Sequence, residues 1–78
     1  MNKTLDYYLS LPYTLEIFPD EEDGGYVARV RELPGCITQA DTWAELLEMV
    51  EDAKRLWLES ALEHGDPIPE PERIRTGE

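Results

Sequence analysis

Between residues 24 and 45 the chain sets out an ordered series of folding signals: Gly24-Gly25, Tyr26 to Arg31, Leu33-Pro34-Gly35, Cys36 to Ala40, and Asp41-Thr42-Trp43-Ala44-Glu45. Adjacent glycines supply the positive φ angles that turn a hairpin. Tyr26, Ala28 and Val30 alternate with Val27, Arg29 and Arg31, the period of a strand with one apolar face. Pro34 presets φ and Gly35 accepts the left-handed position of a type II turn, so a third short strand returns from Cys36. Thr42 and Glu45 have capping-box spacing, with Glu45 expected to reach back to the Thr42 amide. Asp41 adds negative charge at the positive helix end. These residues specify a strand, a turn, a strand and a helix start, and almost none of them could do chemistry.

The preceding residues complete the hairpin. Leu5, Tyr8 and Leu9 have helical spacing, and Pro12 pushes the residue before it out of the helical region. Tyr13, Leu15 and Ile17 form one face of a strand that Pro19 stops. Asp20-Glu21-Glu22-Asp23 makes an acidic tip before the glycines. Bringing the apolar faces of the two strands together requires paired residue numbers with an odd sum. A sum of 45 sets Ile17 opposite Ala28, Leu15 opposite Val30 and Glu16 opposite Arg29, an ion pair.

The helix beginning at Thr42 runs to about His64, where Gly65 suits the residue after a helix end. Trp43, Leu46, Val50, Ala53, Trp57 and Ala61 form the stripe expected on the sheet. Glu45, Glu48, Asp52, Glu59 and Glu63 form the opposite ridge, interrupted by Arg55. Leu47, Leu56, Leu58 and Leu62 fall on the flanks, a surplus that points to a subunit contact. Pro67, Pro69 and Pro71 restrict the following segment to an edge strand or an extended polyproline-like path, anchored by Ile68. The expected fold is α+β: a three-stranded antiparallel sheet packed by one main helix, with a short N-terminal helix and a short C-terminal edge strand. A single domain is expected over residues 1–71, with 72–78 as a tail.

A chain of 78 residues buries roughly 60% of its unfolded surface, and small cores without staples often lean on a partner or on oligomerisation. The single cysteine forms no internal disulfide, and no Cys/His cluster has metal-ligand spacing. Seven basic and eighteen acidic residues give a net charge of −11. That balance repels nucleic acid, whose binding rests on neutralised phosphates, and suits steering toward a basic protein. No apolar run approaches membrane-spanning length and no export signal is read, so a cytoplasmic protein is expected.

Candidate chemistry is sparse. Cys36 and His64 are the only thiol and imidazole. They read as a buried cysteine and a helix-end histidine rather than a nucleophile and its base. The carboxylates sit at a hairpin tip and on a solvent ridge, and converge nowhere for metal-assisted hydrolysis. The tip also fails as a calcium loop, because counting back from Gly24 puts Pro19 where an Asp is needed. No enzymatic activity and no cofactor are expected.

Leu15-x-Ile17, Gly24-Gly25-Tyr26-x-Ala28, Leu33-Pro34-Gly35-Cys36-x-Thr38, Asp41-Thr42-x-x-Glu45 and Ile68-Pro69-x-Pro71 together resemble the HicB family of antitoxins over residues 5–71. The resemblance implies a partial ribonuclease H-like fold without nuclease carboxylates. It also implies binding to a small basic HicA-like toxin, an mRNA interferase whose active histidine would be covered. Ala40 and Leu46 depart from the family's usual Gly and Ala. Many HicB proteins carry a C-terminal DNA-binding domain; none is read here, so operator binding by this chain alone is not expected. The expected toxin contacts are the tip (Asp20, Glu21, Glu22, Asp23) and the ridge (Glu48, Asp52, Glu59). A homo-oligomer is expected, and the alternative function is a solitary homo-oligomeric scaffold with no toxin partner.

Overall fold

The computed structural model describes residues 3–71, so the expected tail at 72–78 lies outside the described residues. The order is α1 (Leu5–Leu9), β1 (Leu15–Pro19), β2 (Tyr26–Val30), β3 (Ile37–Ala40) and α2 (Trp43–His64). The strands form one antiparallel sheet in the order β1-β2-β3, and α2 packs on β2 and β3 with α1 against it.

The β1–β2 register is the expected one: Leu15 faces Val30, Glu16 faces Arg29 and Ile17 faces Ala28. Arg29 Nε donates to Glu16 Oε1 at 2.9 Å. β2 and β3 pair with Ala28 opposite Thr38 and Tyr26 opposite Ala40. Between them the Cys36 N–H donates to the Leu33 carbonyl at 3.0 Å, closing the Pro34-Gly35 turn with Gly35 at φ 81°.

Thr42 caps α2 by accepting the Glu45 N–H at 3.2 Å. The Glu45 carboxylate accepts the Thr42 hydroxyl at 3.3 Å rather than the Thr42 amide, a variation on the expected box. At the other end Gly65 turns left-handed (φ 70°), and the Asp66 N–H reaches the Ala61 carbonyl at 2.9 Å. That bond satisfies a carbonyl the helix leaves open.

The buried stripe of α2 is displaced from the expected one. Leu46, Val50, Lys54, Leu58 and Ala61 are buried, Ala53 and Trp57 are half-buried, and Trp43 is 52% exposed. Leu58 joins the core because α1 and Leu11 add apolar cover beyond the sheet, which widens the buried arc of α2. Trp43 stands at the first helical position and meets the Tyr26 ring edge-on, centroids 5.7 Å apart. Trp57 lies beside the β2–β3 turn and donates its indole N–H to the Pro34 carbonyl at 2.8 Å. Lys54 is buried along its stem while its ammonium reaches Glu51 at 3.1 Å.

The expected C-terminal edge strand is not formed; residues 66–71 run without secondary structure. Prolines at alternate positions strip the N–H groups from one whole side of an extended segment. The segment instead closes over α1 and the start of β1 through side chains. The Tyr13 hydroxyl donates to the Pro69 carbonyl at 2.7 Å, the Tyr7 hydroxyl to Glu70 at 3.0 Å, and Lys3 meets Glu70 at 2.6 Å. Ile68 packs against the core.

Burial, reinforced by the nearby Glu70 carboxylate, pushes the Tyr13 phenol up to about 12. A folded pKa above the unfolded value favours the folded state while the phenol is protonated. The contribution is therefore whole below about 10 and lost as pH rises from there through about 12. In an alkaline titration one tyrosine should ionise late. Tyr13→Phe should remove that late phase and flatten the loss of stability across the same window. A Tyr13→Phe titration indistinguishable from that of the unaltered chain would disprove the assignment.

Candidate partner-binding surface

The acidic tip is a built turn rather than a loose loop. The Asp20 carboxylate accepts the N–H groups of Glu22 and Asp23 at 3.1 and 3.2 Å. The main chain closes beneath it, with Asp20 N–H to Gly25 carbonyl at 3.0 Å and Gly24 N–H to Asp20 carbonyl at 2.9 Å. Asp20 is thus spent partly on shaping the tip, while Glu21, Glu22 and Asp23 are exposed.

Gly25 brings this tip against the end of β3. A Cβ there would lie 2.4 Å from the Ala40 carbonyl oxygen and 2.9 Å from the Asp41 Cα. The close approach forms a depression of about 260 Å³ lined by Asp20, Asp23, Gly24, Gln39, Ala40, Asp41, Glu45 and Met49. Four of its eight lining residues are acids, from the tip, the β3 end and the first turn of α2. From sequence, Asp41 has only a helix-end role and Glu45 a cap and a ridge position; neither is among the expected toxin contacts. Carrying the β2–β3 pairing forward to Tyr26 opposite Ala40 would have placed them beside the tip.

Glu48, Asp52 and Glu59 do not line the depression. They are exposed on α2, and the spacing from Glu45 through 48, 52 and 59 keeps one helical face. Glu45 therefore joins the tip to the ridge, and the expected site residues fall on one acidic surface running from hairpin to helix. Among the described residues no group of three or more His, Cys, Asp or Glu is arranged to hold a metal ion. Such a surface can offer carboxylates to Lys and Arg side chains of a protein.

Cys36 and His64 remain apart in role. Burial pushes the Cys36 thiol up, with Lys54 pulling weakly the other way. His64 Nδ1 donates to the Ser60 carbonyl within its own helix at 2.7 Å. Among the described residues no helix is long and apolar enough to cross a membrane.

Fold and surface together define a small α+β protein with a single helical layer on its sheet and exposed carboxylates running from the hairpin tip to the ridge of α2. The family described as HicB_like antitoxin of bacterial toxin-antitoxin system matches residues 13–77, and the chain belongs to it. A UPF0150 protein of Thermoplasma acidophilum is 44% identical over 59 residues, covering 76% of this chain and 84% of the relative. A UPF0150 protein of Synechocystis is 42% identical over 57 residues, covering 73% and 77%. One from Archaeoglobus fulgidus is 49% identical over 43 residues, covering 55% and 62%.

Proposed function

We propose that this chain is the antitoxin of a toxin–antitoxin pair and neutralises a small, basic HicA-type mRNA interferase by covering its active site. Membership of the HicB-like family supports the role. The observation that carries the mode of binding is the carboxylate band joining Asp20, Glu21, Glu22 and Asp23 to Glu48, Asp52 and Glu59 through Asp41 and Glu45. A toxin that binds RNA must present cations to phosphate. An acidic protein can occupy those same cations, and at −11 it would be drawn to them over a Debye length. On this reading the three strands and the helix are a partial ribonuclease H-like scaffold that acts by occlusion, in the cytoplasm where mRNA is cut.

The test is association with a HicA-type toxin, measured by stopped flow at several salt concentrations. Reversing Glu21, Glu22 and Asp23 to lysine should slow association roughly tenfold or more at low salt and flatten its salt dependence. Asp20 is kept, because its carboxylate shapes the turn. An unchanged rate at low salt removes the tip from the interface. Co-expression that leaves growth arrested by the toxin argues for the second reading, a homo-oligomeric scaffold without a toxin, which the exposed leucines of α2 support.

A further inference from the structure

The outward face of α2 carries an order that neither its cap nor its core requires. Glu45, Met49, Asp52, Leu56, Glu59 and Glu63 follow one another at alternating i+4 and i+3 steps, the spacing of a heptad seam. Each is exposed, Met49 at 42% and Leu56 at 67%. The buried residues Leu46, Val50, Lys54, Leu58 and Ala61 occupy the opposite side of the helix. Acid and apolar positions alternate from Glu45 to Glu59, so Met49 and Leu56 each stand between two carboxylates. From Glu45 to Glu63 the seam runs about 27 Å.

This face works against the helix that carries it. Glu48 and Asp52, and again Glu59 and Glu63, stand four residues apart, where like charges destabilise a helix. Nearby cations do not relieve the repulsion. Among the described residues the ion pairs join Lys3 to Glu70, Arg29 to Glu16 and Lys54 to Glu51. Arg55 lies beside the seam, one turn from Asp52 and from Glu59, and pairs with neither. Two exposed apolar side chains set among unpaired carboxylates are a local conflict of the kind a binding partner resolves.

We propose that a basic amphipathic helix of the toxin lies along this seam, with lysines or arginines against Glu45, Asp52 and Glu59 and apolar side chains against Met49 and Leu56. The proposal rests on the toxin-binding reading and names the element by which the toxin docks. Charge selects the occupant. A second copy would set carboxylate on carboxylate at Glu45, Asp52 and Glu59, and a nucleic acid would set phosphate on them. A helix with cations at the same steps pairs them all. Spacing selects a helix over a strand. Met49 and Leu56 are about 10.5 Å apart along the axis, matching a heptad, whereas side chains on one face of a strand recur about every 6.6 Å. A heptad falls about 20° short of two full turns, so the seam winds slowly round α2 and a helix following it crosses at about 20°. Met49 and Leu56 then form the dehydrated centre of the contact and the carboxylates its rim. The seam meets the acidic tip at Glu45, so the tip steers the toxin and the seam holds it.

The test uses the full chain and a HicA-type toxin. Leu56→Ala should raise the dissociation constant roughly tenfold or more through faster dissociation. Asp52→Lys should raise it by a similar factor through slower association, an effect that added salt removes. Both side chains are exposed, and an unchanged unfolding temperature shows that each variant keeps its fold. Carbodiimide coupling within the complex should join Asp52 and Glu59 to toxin lysines about seven residues apart, the spacing of one helical face. A complex that holds both variants as tightly as the unaltered chain overturns the seam and leaves the toxin reading to the tip. Coupling to lysines two residues apart overturns it by assigning the contact to a strand. Leu56→Ala that lowers the mass of the chain alone and leaves toxin binding unchanged overturns it by assigning the seam to a second copy. A toxin that forms no complex, and whose growth arrest co-expression does not relieve, overturns the seam and the toxin reading together.

Discussion

Gly25→Ala should destabilise the protein by about 3 kcal/mol or more, while Gly24→Ala, one residue earlier, should cost only about 1 kcal/mol. Both glycines have positive φ, 78° and 80°, so both substitutions incur the left-handed strain of an L-residue. They differ in what the new Cβ meets. At Gly24 nothing lies within 4 Å. At Gly25 the Ala40 carbonyl oxygen is 2.4 Å away and the Asp41 Cα 2.9 Å. Neither atom can yield as a flexible side chain would, because Ala40 is held in register opposite Tyr26 and Asp41 directly precedes the Thr42 cap. Relief requires the hairpin tip to lift from β3, which opens the acidic depression. Against a total stability of about 5 kcal/mol for a domain this small, the alanine variant should melt some 15 °C lower. Urea unfolding of the two variants checks the contrast, and equal losses would mean that only φ strain operates at Gly25. On the proposed function, Gly25→Ala should also weaken toxin association, because it moves the tip carboxylates away from Asp41 and Glu45.

Local chemistry was legible in the sequence wherever one or two residues decide the geometry. Gly24-Gly25, Pro34-Gly35, Thr42 and Gly65 each impose a backbone conformation by themselves, and each turn or cap stands where its residues require. The β1–β2 register was legible because a slip by one residue would turn Ile17 away from the core it packs against and break the Glu16–Arg29 pair. Features set by distant segments were not legible. The C-terminal residues carry the composition of an edge strand or an extended segment, and contacts to distant residues (the hydroxyls of Tyr7 and Tyr13, Lys3, and the core around Ile68) decide for the latter. For the candidate site, the tip and ridge were visible as acidic runs. Their union was not, because it depends on Gly25 bringing the tip to Asp41 and Glu45 across the sheet. The exposure of Trp43 is a further case: its spacing fits the buried stripe, but it stands at the first position of α2, with the Tyr26 ring edge-on to it and half its surface open.

Leu58→Ala should cost about 3 kcal/mol, against less than about 0.5 kcal/mol for Leu56→Ala in the single chain. The two leucines are separated by one residue and look equivalent on a helical wheel drawn from the expected stripe, where both fall on flanks. In the fold Leu58 has no exposed surface and Leu56 is 67% exposed. The difference arises because α2 is covered on two sides, by β2 and β3 below and by α1 on one flank, while Leu56 falls on the outward face among Glu45, Asp52 and Glu59. Truncating Leu58 leaves a cavity in a buried cluster so small that it has little means to collapse. Truncating Leu56 leaves nothing unfilled in one chain. Thermal unfolding at low concentration measures the two costs separately from association. There Leu58→Ala should unfold at markedly lower temperature and Leu56→Ala should match the unaltered chain. A large loss from Leu56→Ala would show that its side chain is packed within the chain.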